Sequence, residues 1–312
     1  MTILIVGAGA TGGYYGGRLA QAGRDVAFLV RERRAESLRE RGLRLVGPSG
    51  PEIIEPTVVT AAELAAGAGL ASPATTVLVT VKAAGLDAAV GEMAPAVGPG
   101  TTFVPVLNGM RHLDILNAAF GSGRVLGGVA IIATQLDGNG DVTVLNPDAS
   151  LTIGAQDRQR TPAVERTKQL LDGAGFAVAI SGDIVADMWS KWGFIASVGA
   201  ATCLLGGTAA EIVAAGGDAI ARAIVEEAGQ IAAASGNPIP AAQKRTQDLL
   251  TAPGSPLASS MYRDLRQGRP VEVDTILGDL LERGQRAGVR TPLLEAAAVA
   301  LRVHNTRLAS RA

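Results

Sequence analysis

Three groups of residues in this chain have the types and spacing to do chemistry. The first is Lys191, in "DMWSKWGFIASVGAATCLLGG" (187–207), after which no charged residue occurs until Glu211. An ammonium heading so apolar a stretch either snorkels to the surface or is buried to stabilise a developing oxyanion and supply its proton. The second is "GAGATG", where Gly7, Gly9 and Gly12 stand in G-x-G-x-x-G spacing. With Ala8, Ala10 and Thr11 they form a backbone cradle of the kind that takes a pyrophosphate at a helix N-terminus. The third is Arg31, at the end of the next apolar run and followed by Glu32, Arg33 and Arg34. A guanidinium fork there suits a 2′-phosphate, so the expected cofactor is NADPH, although Glu32 could serve a ribose and the run could be a solvated helix start.

Those residues need elements to hold them. "TILIV" (2–6), the glycine loop, a helix closed by Gly23 and "DVAFLV" (25–30) read as strand, turn, helix, strand, the setting that gives glycine spacing its meaning. Further strands are expected at 75–82, 101–109, 124–136, 141–146, 150–154 and 175–180, with helices near 86–94, 111–119 and 161–173. Together they make an open α/β sheet with an antiparallel tail. Lys82 and Asn108 fall at expected strand ends, where such sheets bind ligands. Each also has a plain structural use, Lys82 as a solvated strand end and Asn108-Gly109 as a turn. From Ser181 onward the pattern becomes helical, with helices expected over 183–204, 208–215, 217–235, 239–251, 259–267, 271–287 and 292–309. The fold class is therefore α/β: an N-terminal Rossmann-type dinucleotide-binding domain over 1–182, then an all-helical domain over 183–312.

Composition narrows the function. Of 312 residues, 47% are apolar but only 3% aromatic, and 40 are glycine, so the core must be aliphatic and closely packed. Basic and acidic residues number 28 and 29, which leaves no electrostatic footprint for nucleic acid or an anionic membrane. The single cysteine, Cys203, points to a reducing compartment, and the N-terminus carries no basic leader, so a cytoplasmic location is expected. Cys203 sits in the apolar run and reads as a small buried hydrophobe. With two histidines there is little material for a metal site, and none is expected. The apolar run 192–207 is shorter than the roughly 18 residues a spanning helix needs, so no membrane segment is expected.

The chain resembles the ketopantoate reductase (2-dehydropantoate 2-reductase) family along essentially its whole length. The residues that carry the likeness are "GAGATGG" (7–13), Arg31, "VK" (81–82), "NGM" (108–110), "WSKW" (189–192) and "SSMYRDLRQGRPVEVD" (259–274). The resemblance implies Lys191 as catalytic lysine and Glu272 as the acid that holds the substrate hydroxyl and the lysine. It implies Ser260 on the substrate carboxylate, Asn108 between nicotinamide and substrate, and Lys82 on the cofactor side. Gly7, Gly9, Gly12 and Arg31 match its NADPH site. The implied reaction reduces a 2-keto acid, ketopantoate above all, for pantothenate biosynthesis. The implied partner is that small molecule, and the apolar helical domain suggests a homodimer. A hydroxy-acid or opine-type dehydrogenase and a non-enzymatic NADPH sensor are the alternatives. One departure bears on the substrate. Where the family resembles Lys-x-x-x-Asn-x-x-x-Asn, this helix has Ile195 and Gly199, on the same face as Lys191. A more apolar and roomier pocket is expected there. Burial should lower the pKa of Lys191, and a nearby Glu272 should raise it again.

Overall fold

A computed structural model describes residues 1–310 and divides into two compact units. One holds residues 1–107 and 112–184; the other holds 108–111 together with 185 onward.

The first unit runs β1 (Ile3–Val6), α1 (Ala10–Gln21), β2 (Val26–Leu29), α2 (Glu32–Arg41), β3 (Leu43–Gly47), β4 (Gly50–Ile54), β5 (Thr57–Val59), α3 (Ala61–Ala65), β6 (Ala74–Val79), α4 (Leu86–Met93), β7 (Val97–Pro105), α5 (Arg111–Phe120), β8 (Leu126–Leu136), β9 (Val142–Ala155), α6 (Pro162–Leu171) and β10 (Ala177–Ile180). A parallel sheet has the order β5-β2-β1-β6-β7. Its central strands are buried throughout, as unbroken apolar runs such as "ILIV" demand. The second sheet has the order β10-β9-β3-β4, with β8 antiparallel on β9. The single open sheet expected from the sequence is thus two.

Helix α1 explains why its sequence reads "GGYYGG". A Cβ on Gly16 would fall 2.5 Å from the Phe28 ring of the parallel sheet. A Cβ on Gly13 would fall 2.8 Å from Val142, and one on Gly17 3.1 Å from Leu43, both in the second sheet. The helix is pressed between two sheets; a side chain at Gly13 or Gly16 would push its neighbours aside, and one at Gly17 would crowd them. Tyr15 completes the contact, its ring edge-on to Phe176 and its hydroxyl donating to the Ser150 carbonyl at 2.8 Å.

Strands β3, β4 and β5 and helix α3 escape the sequence reading because they are short and interrupted by Gly and Pro. β3 alternates buried leucines with partly exposed Arg44 and Val46, and β4 has three exposed residues. The strands expected at 141–146 and 150–154 fuse into β9, and β8 shifts register against it between Ile131 and Thr134.

The second unit carries α7 (Ile184–Leu205), α8 (Ala209–Ala214), α9 (Asp218–Ala234), α10 (Pro240–Leu250), α11 (Ser260–Arg266), a π-type turn over Asp274–Gly278, α12 (Asp279–Arg286) and α13 (Pro292–Ala309). The first residue of α7 is grouped with the first unit. Helix α9 is the core element, burying Ile224, Val225, Ala228, Ile231 and Ala232. Its buried Glu227 accepts hydrogen bonds from the Leu293 and Leu294 amides at 3.0 and 2.9 Å, satisfying donors that α13 leaves open at its start. The helix expected over 271–287 begins later. The Asn305 side chain clamps both backbone groups of Val271, each at 2.9 Å, and holds 271–272 outside the helix. No helix among the described residues is long and apolar enough to cross a membrane.

Candidate active site

The glycine loop joins β1 to α1. Gly7 has φ +97°, a backbone that side chains rarely adopt. A Cβ on Gly12 would lie 2.0 Å from the Gly7 carbonyl and 2.2 Å from Thr80 Oγ1, so that position tolerates no side chain. Thr80 Oγ1 lies within hydrogen-bond reach of the Val6 and Gly7 carbonyls, at 2.9 and 2.7 Å, and so ties the loop to the end of β6. Gly9 is the N-cap of α1 and offers no side-chain cap, and nothing lies within 4 Å of where its Cβ would be. The opening amides of α1, at Ala10, Thr11 and Gly12, have no backbone acceptor among the described residues and lie at the positive end of a helix. A dinucleotide phosphate fits this loop on those grounds.

Arg31 is the N-cap residue of α2 and is exposed. Its Nη2 lies 3.6 Å from where a Cβ on Gly85 would sit, over the turn that follows Lys82. Lys82 itself is exposed and lies three residues past Val79, where β6 ends, rather than at the strand end expected for it. Sequence reasoning missed Arg34, one helical turn beyond Arg31. Its Nε donates to the Ala8 carbonyl at 3.3 Å, inside the glycine loop, and burial lowers its pKa. Its Nη2 is buried with no hydrogen-bond partner among the described residues.

The other expected residues, Lys191, Asn108, Ser260 and Glu272, all belong to the helical unit. Asn108 does so although the flanking stretches 1–107 and 112–184 do not: β7 stops at Pro105, and 108–111 groups with the helices. Three contacts bring the four segments together. Trp192 Nε1 donates to the Ile276 carbonyl at 2.9 Å, joining the helix of Lys191 to the turn after Glu272. Gly109, at φ +81°, packs so closely on that turn that a Cβ would be 2.9 Å from the Thr275 carbonyl. A Cβ on Gly199 would be 2.6 Å from Met261 Sδ, beside Ser260.

Within these segments polar side chains divide sharply. Ser259 caps α11 through the Tyr262 amide and meets Thr202 Oγ1, both at 2.9 Å. Asp264 takes Arg269 Nε at 2.9 Å, and Asp274 takes Arg302 Nε at 2.8 Å. By contrast, the side chains of Lys191, Asn108, Ser260 and Glu272 make no hydrogen bond or ion pair among the described residues. Cys203, near Ser259, has its thiol pushed up to about 11 by burial, which makes it inert.

Lys191 lies two turns inside α7 rather than at its head. It shares a partly accessible stripe with Phe194 and Ile195, one turn on, while residues 196–203 are buried. Snorkelling between Trp189 and Trp192 is not how it sits. The two indoles are 2% and 1% exposed and pack on each other with centroids 4.9 Å apart. Burial lowers the Lys191 ammonium to about 8, and burial is its only cause. The upward pull expected from Glu272 is not felt. Nor is the pocket roomier at Gly199, because Met261 fills the space an asparagine would take. The side chains that stand there, Ile195 and Met261, are apolar.

Models of the family Ketopantoate reductase PanE/ApbA match residues 3–158, and those of its C-terminal part match 183–305. The chain is 32% identical over 297 residues to the uncharacterized oxidoreductase YkpB of Bacillus subtilis, covering 95% of this chain and 96% of that one. It is 30% identical over 319 residues to a 2-dehydropantoate 2-reductase of Mesorhizobium japonicum, covering 95% of each. Among solved structures, D-mandelate dehydrogenase with NADH and anilino(oxo)acetate superposes with a TM-score of 0.86 over 99% of this chain and 100% of that one, a likeness of fold at 21% identity. With its parallel-sheet dinucleotide unit, its helical second unit and matches along nearly the whole length, the chain belongs to the ketopantoate reductase family of oxidoreductases.

Proposed function

We propose that the protein reduces a 2-keto acid to the 2-hydroxy acid with NADPH, 2-dehydropantoate to pantoate being the first substrate to consider. The observation that carries this reading is the division of polar side chains: in a unit where their neighbours are bonded, Lys191, Asn108, Ser260 and Glu272 are left unengaged. Half-buried polar groups are normally paired, so unengaged Lys191, Asn108 and Glu272 in adjoining segments, with the exposed Ser260 beside them, suit a ligand.

The nicotinamide of the bound cofactor would supply a hydride to the keto carbon. As that bond forms, the carbonyl π pair moves to oxygen, and the Lys191 ammonium stabilises the charge and transfers its proton there. With a value near 8 the lysine is largely protonated at neutral pH yet gives up its proton readily. Ser260, the exposed first residue of α11, would hold the carboxylate and so orient the carbonyl. Asn108 would bind the carbonyl side, and Glu272 a hydroxyl on the substrate chain. Arg31 supports a cofactor with a 2′-phosphate.

A second reading has its own support. Phe194, Ile195 and Met261 line the Lys191 side of α7 with apolar groups. They favour a keto acid with an apolar side chain over one bearing a hydroxyl. Steady-state oxidation of NADPH with a panel of 2-keto acids separates these cases. Strong turnover of ketopantoate supports the first reading and turnover confined to apolar keto acids the second. NADPH binding with no turnover of any keto acid would overturn both and leave the sensor alternative.

A further inference from the structure

The helical unit holds a buried carboxylate paired with a partly exposed arginine, and the contacts of the pair reach the Asn108 turn and the tryptophans beside Lys191. Asp279, 6% exposed, opens α12, the helix that follows the turn after Glu272. Its Oδ2 accepts from the Arg111 amide at 3.1 Å and the Met110 amide at 3.4 Å, directly after the Asn108-Gly109 turn. Its Oδ1 accepts from Arg283 Nε at 3.1 Å, one turn along the same helix. The Arg283 guanidinium in turn lies over both indoles of α7, 5.9 Å from the Trp189 centroid and 5.7 Å from that of Trp192. Those indoles flank Lys191 in sequence.

We infer that Asp279 and Arg283 are positioning residues for the reaction proposed above: one carboxylate fixes the Asn108 turn, and one guanidinium fixes the tryptophan pair of the lysine helix. The inference rests on that functional reading. A helix start alone would not call for this arrangement. Glu227, the other buried carboxylate that takes two backbone amides, makes no ion pair among the described residues, and both its hydrogen bonds go to the start of α13. The Asp279 carboxylate is instead the joint of a chain running from the Asn108 turn through Arg283 to the Trp pair. An ion pair in a poorly hydrated place holds geometry more than it adds stability. A site that needs its groups placed to a fraction of an ångström depends on such support, and a misplacement of about 1 Å costs on the order of 100-fold in rate.

The test compares Asp279→Ala and Arg283→Gln with Glu227→Gln, each in the full chain. Turnover is counted per NADPH-binding site, so that misfolded protein does not enter. Both positioning variants should lose about 100-fold in kcat/KM for the keto acid while NADPH affinity stays within about twofold. Glu227→Gln should lower thermal stability and leave kcat/KM unchanged. A second readout needs no substrate: the pH dependence of Lys191 acylation, followed by mass spectrometry. Its midpoint should move up from about 8 in the two positioning variants, as the lysine helix loosens, and stay put in Glu227→Gln. Unchanged kcat/KM and an unchanged midpoint in Asp279→Ala and Arg283→Gln, or equal losses in Glu227→Gln, would overturn the inference. If Asp279→Ala yields no folded protein, Arg283→Gln alone decides. If the wild type turns over no keto acid, the functional reading fails, and the lysine midpoint still decides the positioning role.

Discussion

The glycine loop of the first unit and the 259–279 segment of the second, the two stretches proposed to hold ligands, would do so by opposite means. The loop works through backbone. Its contribution is amides left open at the start of α1, and at Gly12 no side chain would fit, since a Cβ there would sit 2.0 Å from a carbonyl. The 259–279 segment works through side chains, and alternates residues spent on structure with residues held back. Ser259 caps while Ser260 is unengaged; Asp264 and Asp274 pair with arginines while Glu272 does not. A backbone site is written in spacing. A side-chain site is written in which neighbours are already satisfied, and that only coordinates reveal.

This contrast can be broken at several points. Gly12→Ala should have the largest effect, because nothing around it can yield without moving backbone. It should cost about 3 kcal/mol or more in stability and abolish measurable NADPH binding by calorimetry. Glu272→Gln, an isosteric change in a side chain without partners, should leave the melting temperature unaltered and lower kcat/KM by about 100-fold. A drop in melting temperature would instead mark Glu272 as structural. Arg31→Ala should raise the KM for NADPH about 20-fold and leave that for NADH nearly unchanged, the loss expected for one charged hydrogen-bonding contact. If the ratio of the two constants holds, the 2′-phosphate is read elsewhere, and Arg34 is the next residue to test. Lys191 should make kcat for reduction pH-dependent. Because burial lowers its pKa to about 8, the acid form prevails below that value, and the rate should fall by about tenfold per pH unit above it. The smallest effect is expected from Ile195→Asn. Restoring a polar group one turn from Lys191 should raise kcat/KM for ketopantoate relative to an apolar keto acid by about fivefold.

Much of this was legible in the sequence, for identifiable reasons. The glycine spacing, the strand before it and the helix after it are local, and local steric rules decide them. The long helices α7 and α9 follow from Ala-containing runs closed by Gly206 and Gly236. Less was legible where the cause is distant. β3 and β4 are held by the second sheet on the far face of α1, and β5 only by pairing with β2 at the edge of the parallel sheet; no feature of their own sequence says so. Glu272 escapes the helix expected to include it because Asn305, 33 residues later, clamps its neighbour Val271. Arg34 hides in a basic run until its guanidinium is seen reaching the Ala8 carbonyl. The resemblance supplied the four candidate residues by motif, but it could not foresee that Met261 fills the notch at Gly199 or that no carboxylate acts on Lys191.

The central claim is that Lys191 is the proton donor of a keto-acid reductase, and Lys191→Ala tests it most directly. Turnover of the best keto acid and affinity for NADPH should be measured on the same preparation. The account predicts NADPH affinity within about twofold of wild type and kcat lowered by about 1,000-fold or more. A variant that binds NADPH normally and keeps most of its turnover would contradict it.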